Sequence, residues 1–369
     1  MTQRILAQWE KRGWSLYERY ERHIGAFSFL FGLIFDNLTL TRVDLWFDNI
    51  VFLVHLTVVA GAMILLHLAA SGRVSRALPE GLAKYLPIAM QFSFGNLFSG
   101  FFVFYSRSGS LITSWPFLVF LALLLVGNEI FRKYYARFAF HASIFFITLF
   151  SYLIFALPVL FHRMGAGIFI ASGIGSAILI ALFLALVGRI SPARLRPRLM
   201  PAIISIAALY GIFHLLYFTN ILPPIPLSLK DIGVYHSVTW SPKGIYSFQY
   251  EEETAFLFWR RPSRIFHRRG EAPVYVYSAV FAPTDLRTKI FHRWSYYNKR
   301  TEEWTSTDTL SFSIVGGRDG GWRGFTLKER VFPGAWRVEV VTERGQLLGR
   351  TTFEVANTDE PPTLVSREE

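Results

Sequence analysis

The densest set of chemically capable residues is Asp36-Asn37-Leu38-Thr39-Leu40-Thr41-Arg42-Val43-Asp44, continued by Asp48-Asn49. It lies between apolar runs, where charge is costly unless paired or wet. Two kinds of chemistry fit. The carboxylates Asp36, Asp44 and Asp48, with Asn37, would make a cation site or polar gate. Alternatively, Arg42 pairs with Asp44 or Asp36, and the Asn and Thr side chains cap helix ends. The spacing does not match a calcium loop, which favours the structural reading.

A second set lies near the C-terminus. It comprises His292-Arg293-Trp294, Gly316-Gly317-Arg318-Asp319-Gly320-Gly321-Trp322-Arg323 and Gly334-Ala335-Trp336-Arg337. Trp beside Arg can grip sugars and other planar or anionic groups. The binding candidates are therefore His292, Trp294, Arg318, Trp322, Arg323 and Trp336. The glycines read as a tight turn with positive φ. They do not form a phosphate loop, since no Lys-Ser/Thr follows. The competing reading places Trp294 and Trp336 in a core. The basic stretch Arg260 to Arg269 reads either as a lipid-facing arm or as a solvated loop.

Polar residues also punctuate the apolar runs: His55, His67, Asn96, Asn128 with Glu129, His141 and His214. Their spacing shows no metal-ligand pattern, so no metal is expected. The chain has no cysteine, which removes disulfides, thiolate sites and a Cys nucleophile. Nucleophile elbows and zinc-peptidase motifs are missing too. No cofactor is expected, and the balance leans away from an enzyme.

The elements that would carry these residues follow from composition and period. Apolar residues make up 52 % of the chain, and charged residues only 17 %. A soluble domain carries about 25 % charged residues. Runs of about 20 apolar residues, enough to span a bilayer, fall near 23–38, 49–70, 84–105, 110–128, 138–161, 166–188 and 200–219. The first is short and interrupted by Asp36 and Asn37, so a re-entrant segment is the alternative. Arg and Lys crowd every second connection, whereas the others before the last span hold only Arg42, Arg107 and Arg163. That bias predicts a cytoplasmic N-terminus and an extracytoplasmic C-terminal region. The net charge of +12 thus reads as helix anchoring, and no nucleic-acid partner is expected.

Five regions result. Residues 1–22 read as a cytoplasmic amphipathic segment, 23–220 as a polytopic helical domain, and 221–272 as a proline-led linker and basic arm. Residues 273–356 read as a β domain and 357–369 as a disordered tail. Period-two segments are clear at 274–281 and 336–341, with a return over 351–355 and further strands near 287–297, 309–315 and 322–329. The expected fold class is a membrane all-α bundle of about seven helices plus a small all-β, immunoglobulin-like sandwich.

The residues from Phe29 to Asp44 resemble the N-terminal region of a family of bacterial multi-pass membrane proteins. Ala282-Pro283, His292-Arg293-Trp294, Gly317-Arg318, Gly321-Trp322-Arg323, Gly334 to Val338 and Gly349 through Val355 resemble that family's Domain of Unknown Function 2914. The resemblance implies a bacterial inner membrane and the same two-part layout, and it brings no activity with it. The function expected is a non-enzymatic envelope protein. Its bundle sits in the lipid bilayer and anchors a β module that binds an envelope glycan, anionic lipid or protein partner. The alternative is a membrane transporter or membrane-embedded enzyme with an accessory β domain.

Overall fold

The computed structural model describes residues 34–40, 42–70, 85–130, 138–242, 244–251 and 264–368. The amphipathic segment at 1–22, most of the first expected span and residues 260–263 of the basic stretch lie outside the described residues, whereas 264–269 of that stretch form a strand. Residues 34–39 form a short helical stretch. Six helices follow: α1 (Trp46–Ala70), α2 (Leu86–Ser108), α3 (Leu111–Ile130), α4 (Phe138–Phe161), α5 (Ala166–Ile190) and α6 (Pro192–Phe218). Five of them are long and apolar enough to cross a membrane, and α3 has a shorter apolar stretch over Leu111–Gly127.

The helices pack on aromatic side chains. α4 is central, in contact with α1, α2, α5 and α6. Phe52, Phe101, Phe104 and Phe155 form one ring cluster, and Phe150, Phe169, Phe213 and Tyr217 form another. At Gly100, a side chain would collide with the Phe52 ring, so glycine permits the α1–α2 approach. Outward positions are apolar as well: Leu123, Leu182, Ile204 and Leu215 are all exposed. A bundle that is apolar inside and out suits a lipid surround.

Eleven strands follow in three sheets. They are β1 (Ser228–Tyr235), β2 (Ser237–Trp240), β3 (Tyr246–Glu251), β4 (Arg264–Arg269), β5 (Val274–Phe281), β6 (Arg287–Asn298), β7 (Glu303–Val315), β8 (Trp322–Lys328), β9 (Gly334–Thr342), β10 (Leu347–Thr358) and β11 (Leu364–Glu368). The sheet orders are β1-β5-β8, β4-β10-β9-β6-β7 and β11-β3-β2. The first two share two hydrophobic clusters, so they form facing layers. Val274 and Val276 of β5 meet Trp294, Trp336, Val338 and Phe353 of the five-stranded sheet. The third sheet covers the other side of β5, where Val238 and Phe248 pack on Tyr277 and Ala279. β5 is therefore buried on both faces, which explains its nearly unbroken run of apolar residues.

Two expectations change. The region read as linker holds β1 to β4, and the tail read as disordered ends in β11, paired antiparallel with β3. β1 escaped notice because Lys230 and Asp231 sit in mid-strand at a bulge, which breaks its alternation. β11 is short, polar and at a sheet edge, where a buried period is not required.

Candidate functional site

The polar cluster of residues 36–48 lies where the bundle meets the β domain. Arg42 donates from Nε and Nη2 to the two oxygens of Asp44, at 2.9 and 2.7 Å. It also pairs with Asp319, in the glycine-rich turn between β7 and β8. Asp44 accepts in addition from the backbone N–H of Thr284 at 3.0 Å and its hydroxyl at 3.1 Å. Burial would push the Asp44 carboxyl up, but the bonds from Arg42 and Thr284 outweigh it and hold it below the usual range. The bond to Asp44 raises Arg42 further, against a smaller effect of burial. Asn49 closes the preceding turn by donating to the carbonyls of Val43 and Leu45. Asp48 is buried in the first turn of α1, where the helix dipole favours an anion.

A second contact continues the seam. Arg107, at the end of α2, donates to the carbonyls of Leu40 and Asn37 and, at 2.7 Å, to Asn37 Oδ1. The Ser228 hydroxyl returns a bond to the Arg107 carbonyl at 2.7 Å. Lys230 of β1 stands over the Phe281 ring; burial, with Arg107 close by, lowers its ammonium from the ordinary value. A third contact is the β9–β10 turn. The Ser110 N–H donates to the Leu347 carbonyl at 3.2 Å, and Gln346 Nε2 donates to the Leu222 carbonyl at 3.3 Å. Arg344 lies over the Tyr217 ring, 3.9 Å from its centroid. Arg42 and Asp44 are thus part of a docking seam, whereas Asp36 is half-buried in its short helical stretch and Asp48 Oδ2 is buried without a hydrogen-bond partner among the described residues. Sequence reasoning missed Thr284, Asp319, Arg107, Ser228, Arg344 and Gln346. Only Arg42 and Asp44 carried a local signal, two residues apart.

The six β-domain candidates separate into two groups. His292, Trp294 and Trp336 are fully buried, so the binding role expected of them is corrected to a core role. Trp294 and Trp336 meet edge to face at 6.5 Å in the layer between the sheets. His292 accepts or donates between Ser278 Oγ at 2.8 Å and Thr326 Oγ1 at 2.9 Å, and so ties β6 to β5 and β8. Burial pushes its imidazole down to about 3, so it is neutral. A Ser-His-Thr chain without solvent access is a structural tie, since a substrate cannot reach it. Arg318, Trp322 and Arg323 remain accessible. Arg318 stacks over the Trp322 ring at 4.4 Å, beside the Arg42–Asp319 pair. Gly316 in this turn must be glycine, because a side chain there would strike the Pro283 carbonyl.

Within the helices, some polar groups bond across the packing, as His55 Nδ1 does with Ser93 Oγ at 3.3 Å, and others bond locally. His67 Nδ1 contacts the Met63 carbonyl at 2.8 Å, and His214 Nδ1 the Tyr210 carbonyl at 2.9 Å, each one turn back. Among the described residues, no group of three or more His, Cys, Asp or Glu could hold a metal. One acid site stands apart: Glu251 accepts from His236 at 2.7 Å and from His267 at 2.6 Å, tying β3 to β4.

Residues 287–355 match the model of a family described as a protein of unknown function, DUF2914. The match spans β6 to most of β10, so the C-terminal β region carries that domain. No curated protein matches the chain. Among solved structures, the chain is similar to the Pseudomonas fluorescens alkylpurine DNA glycosylase AlkC bound to DNA containing an abasic site analogue. The identity is 10 %, the alignment covers 85 % of this chain and 99 % of that one, and the TM-score is 0.22. At that score the likeness carries no argument.

Proposed function

We propose that this chain, whose residues 287–355 match the DUF2914 family, is a non-enzymatic envelope protein of the bacterial inner membrane. In this reading the helices hold an extracytoplasmic, immunoglobulin-like β module that binds an envelope glycan, a lipid headgroup or a protein partner. The observation that carries it is the seam. Arg42, Asp44, Asp319 and Thr284 fix the β module on one end of the bundle. The turn after α2 and the Met164 connection after α4 meet the module at that same end. These are the connections poor in basic residues, which supports an extracytoplasmic module. A rigid mount suits a domain that must present a surface at a fixed height above the membrane. The transporter alternative loses part of its motive, because Arg42 and Asp44 are engaged in docking.

Native mass spectrometry of gently purified full-length protein tests this. A glycan, lipid or subunit retained in the spectrum is the expected result. A bare protein, together with transport by reconstituted bundles, would overturn it.

A further inference from the structure

The outer face of the five-stranded sheet carries charge that the fold leaves unbalanced. Register across β10, β9 and β6 places Arg350, Glu339 and Arg293 in one row, and Thr352, Arg337 and Ser295 in the next. Glu339 is buried and accepts two bonds from Arg293, at 2.9 Å from Nε and 2.7 Å from Nη2. Arg337 Nε stands 3.6 Å from Glu339 Oε1, too far for a hydrogen bond. That Nε atom is buried and has no hydrogen-bond partner among the described residues. Arg293 thus holds Glu339, Arg337 stands near it without a hydrogen bond, and Arg350 is its neighbour across the β9–β10 register. Arg337 feels the crowding: burial lowers it, Glu339 partly restores it, and Arg350 and Arg293 lower it again.

Aromatic surface adjoins this group. Arg337 lies over the Trp304 ring, 4.6 Å from its centroid, and Tyr297 is 5.3 Å from Trp304. Thr309 and Thr352, on the same face, are exposed. A guanidinium fork matches a carboxylate in two parallel bonds. A flat indole–phenol corner matches the apolar face of a sugar ring. Exposed hydroxyls supply further donors and acceptors.

We propose that this face binds a carboxylate-bearing saccharide, its acid groups on Arg337 and Arg350 and a sugar ring on Trp304 and Tyr297. The inference rests on the reading of the chain as a binding module, and it names the site and the ligand class. An acidic peptide would use the guanidiniums but has no need of the indole corner, so the ring side chains favour the saccharide.

The test is calorimetric titration of the full-length protein in nanodiscs with hexagalacturonate, maltohexaose and hexaglutamate. Hexagalacturonate is expected to bind, with maltohexaose at least about tenfold weaker and the affinity falling as salt is raised. Trp304→Ala and Arg350→Glu are each expected to weaken binding at least about tenfold, a change of about 1.4 kcal/mol. Arg350→Glu leaves the Arg293–Glu339 bonds in place, so it serves as the variant whose folding is secure. Three outcomes overturn the assignment: no binding of hexagalacturonate, undiminished binding by Arg350→Glu, or hexaglutamate binding as tightly with Trp304→Ala silent. If the saccharide fails while native mass spectra still show a retained partner, the ligand class is wrong and the binding-module reading stands. If both fail and reconstituted bundles transport a solute, both readings fall.

Discussion

Two arginine-rich regions of this molecule differ in how their charge is matched. At the seam, Arg42 has two carboxylate partners, Asp44 and Asp319, and Arg107 is fixed by the carbonyls of Leu40 and Asn37. On the outer sheet face, Arg293 bonds Glu339, Arg337 stands 3.6 Å from it, and Arg350 lies opposite it in the strand register. The same residue type therefore plays two parts. Where a guanidinium is held by fixed carboxylates or carbonyls, as at Arg42 and Arg107, the arrangement is structural. Where donors exceed acceptors on a surface lined with aromatic rings, capacity is left for a ligand. Counting acceptors around each guanidinium separates the two cases better than counting arginines.

The largest test of this contrast is Asp44→Ala. The Asp44 side chain is 5 % exposed and accepts four bonds from Arg42 and Thr284, so removal leaves the Arg42 guanidinium with Asp319 alone and the Thr284 N–H without its acceptor. A loss of about 3 kcal/mol is expected, as for one partner of a desolvated pair. Thermal melting of the full chain would register it, and amide exchange at Thr284 would localise it to the seam. Asp319→Ala should cost much less, about 0.5 kcal/mol, because that carboxylate is 80 % exposed. Equal losses from the two would mean that the seam is held by something other than the Asp44 bonds.

The seam also predicts a pH dependence. The folded-state Asp44 carboxyl is depressed, so its contribution is fully present above the unfolded value of about 3.9 and fades as pH falls through the folded value. Docking should hold from neutral pH down to about 4 and loosen below it. Exchange at Thr284, corrected for its intrinsic pH dependence, measures this directly. Protection that fails already near pH 6 would show that a group other than Asp44 controls the docking.

Sequence showed the helices plainly because each is one long apolar run. It showed β5 and β9 because each is a mostly buried run of strand length, and the start of β6 because its buried residues alternate. It could not show the seam beyond Arg42 and Asp44, since Asp319 is 277 residues away from Arg42 and only folding joins them. Trp294 and Trp336 were ambiguous for a physical reason: a tryptophan next to an arginine on a strand has its neighbour on the opposite face. Residue type suggested a ligand grip, whereas the pleat put the indole inside and the guanidinium outside. The outer-face group was half visible in Arg293 and Arg337. Arg350 joins them only through the β9–β10 register, which a bulge shifts by one residue.

On the outer face, Arg293→Ala is expected to cost about 1 kcal/mol, well below Asp44→Ala. Its loss strips two bonds from Glu339, but Arg337 is 3.6 Å away and can close on the vacated carboxylate. The two guanidiniums are thus partly redundant. The double variant Arg293→Ala, Arg337→Ala should therefore cost more than the sum of the singles, because Glu339 is then left without either neighbour. Strict additivity would show that Arg337 does not stand in reserve.

The smallest expected effect is the most discriminating. Arg350→Glu should change stability by no more than about 0.5 kcal/mol, as for a surface side chain outside any fixed bond. Its cross-strand neighbour is Glu339, so some repulsion is introduced, but Arg293 and Arg337 flank that carboxylate and offset it. Relief of the mutual repulsion between Arg350 and Arg337 works in the same stabilising direction. A melting temperature unchanged within a few degrees would confirm that Arg350 adds charge without supporting the fold. A fall as large as that of Asp44→Ala would place Arg350 among the structural arginines and erase the contrast between the two regions.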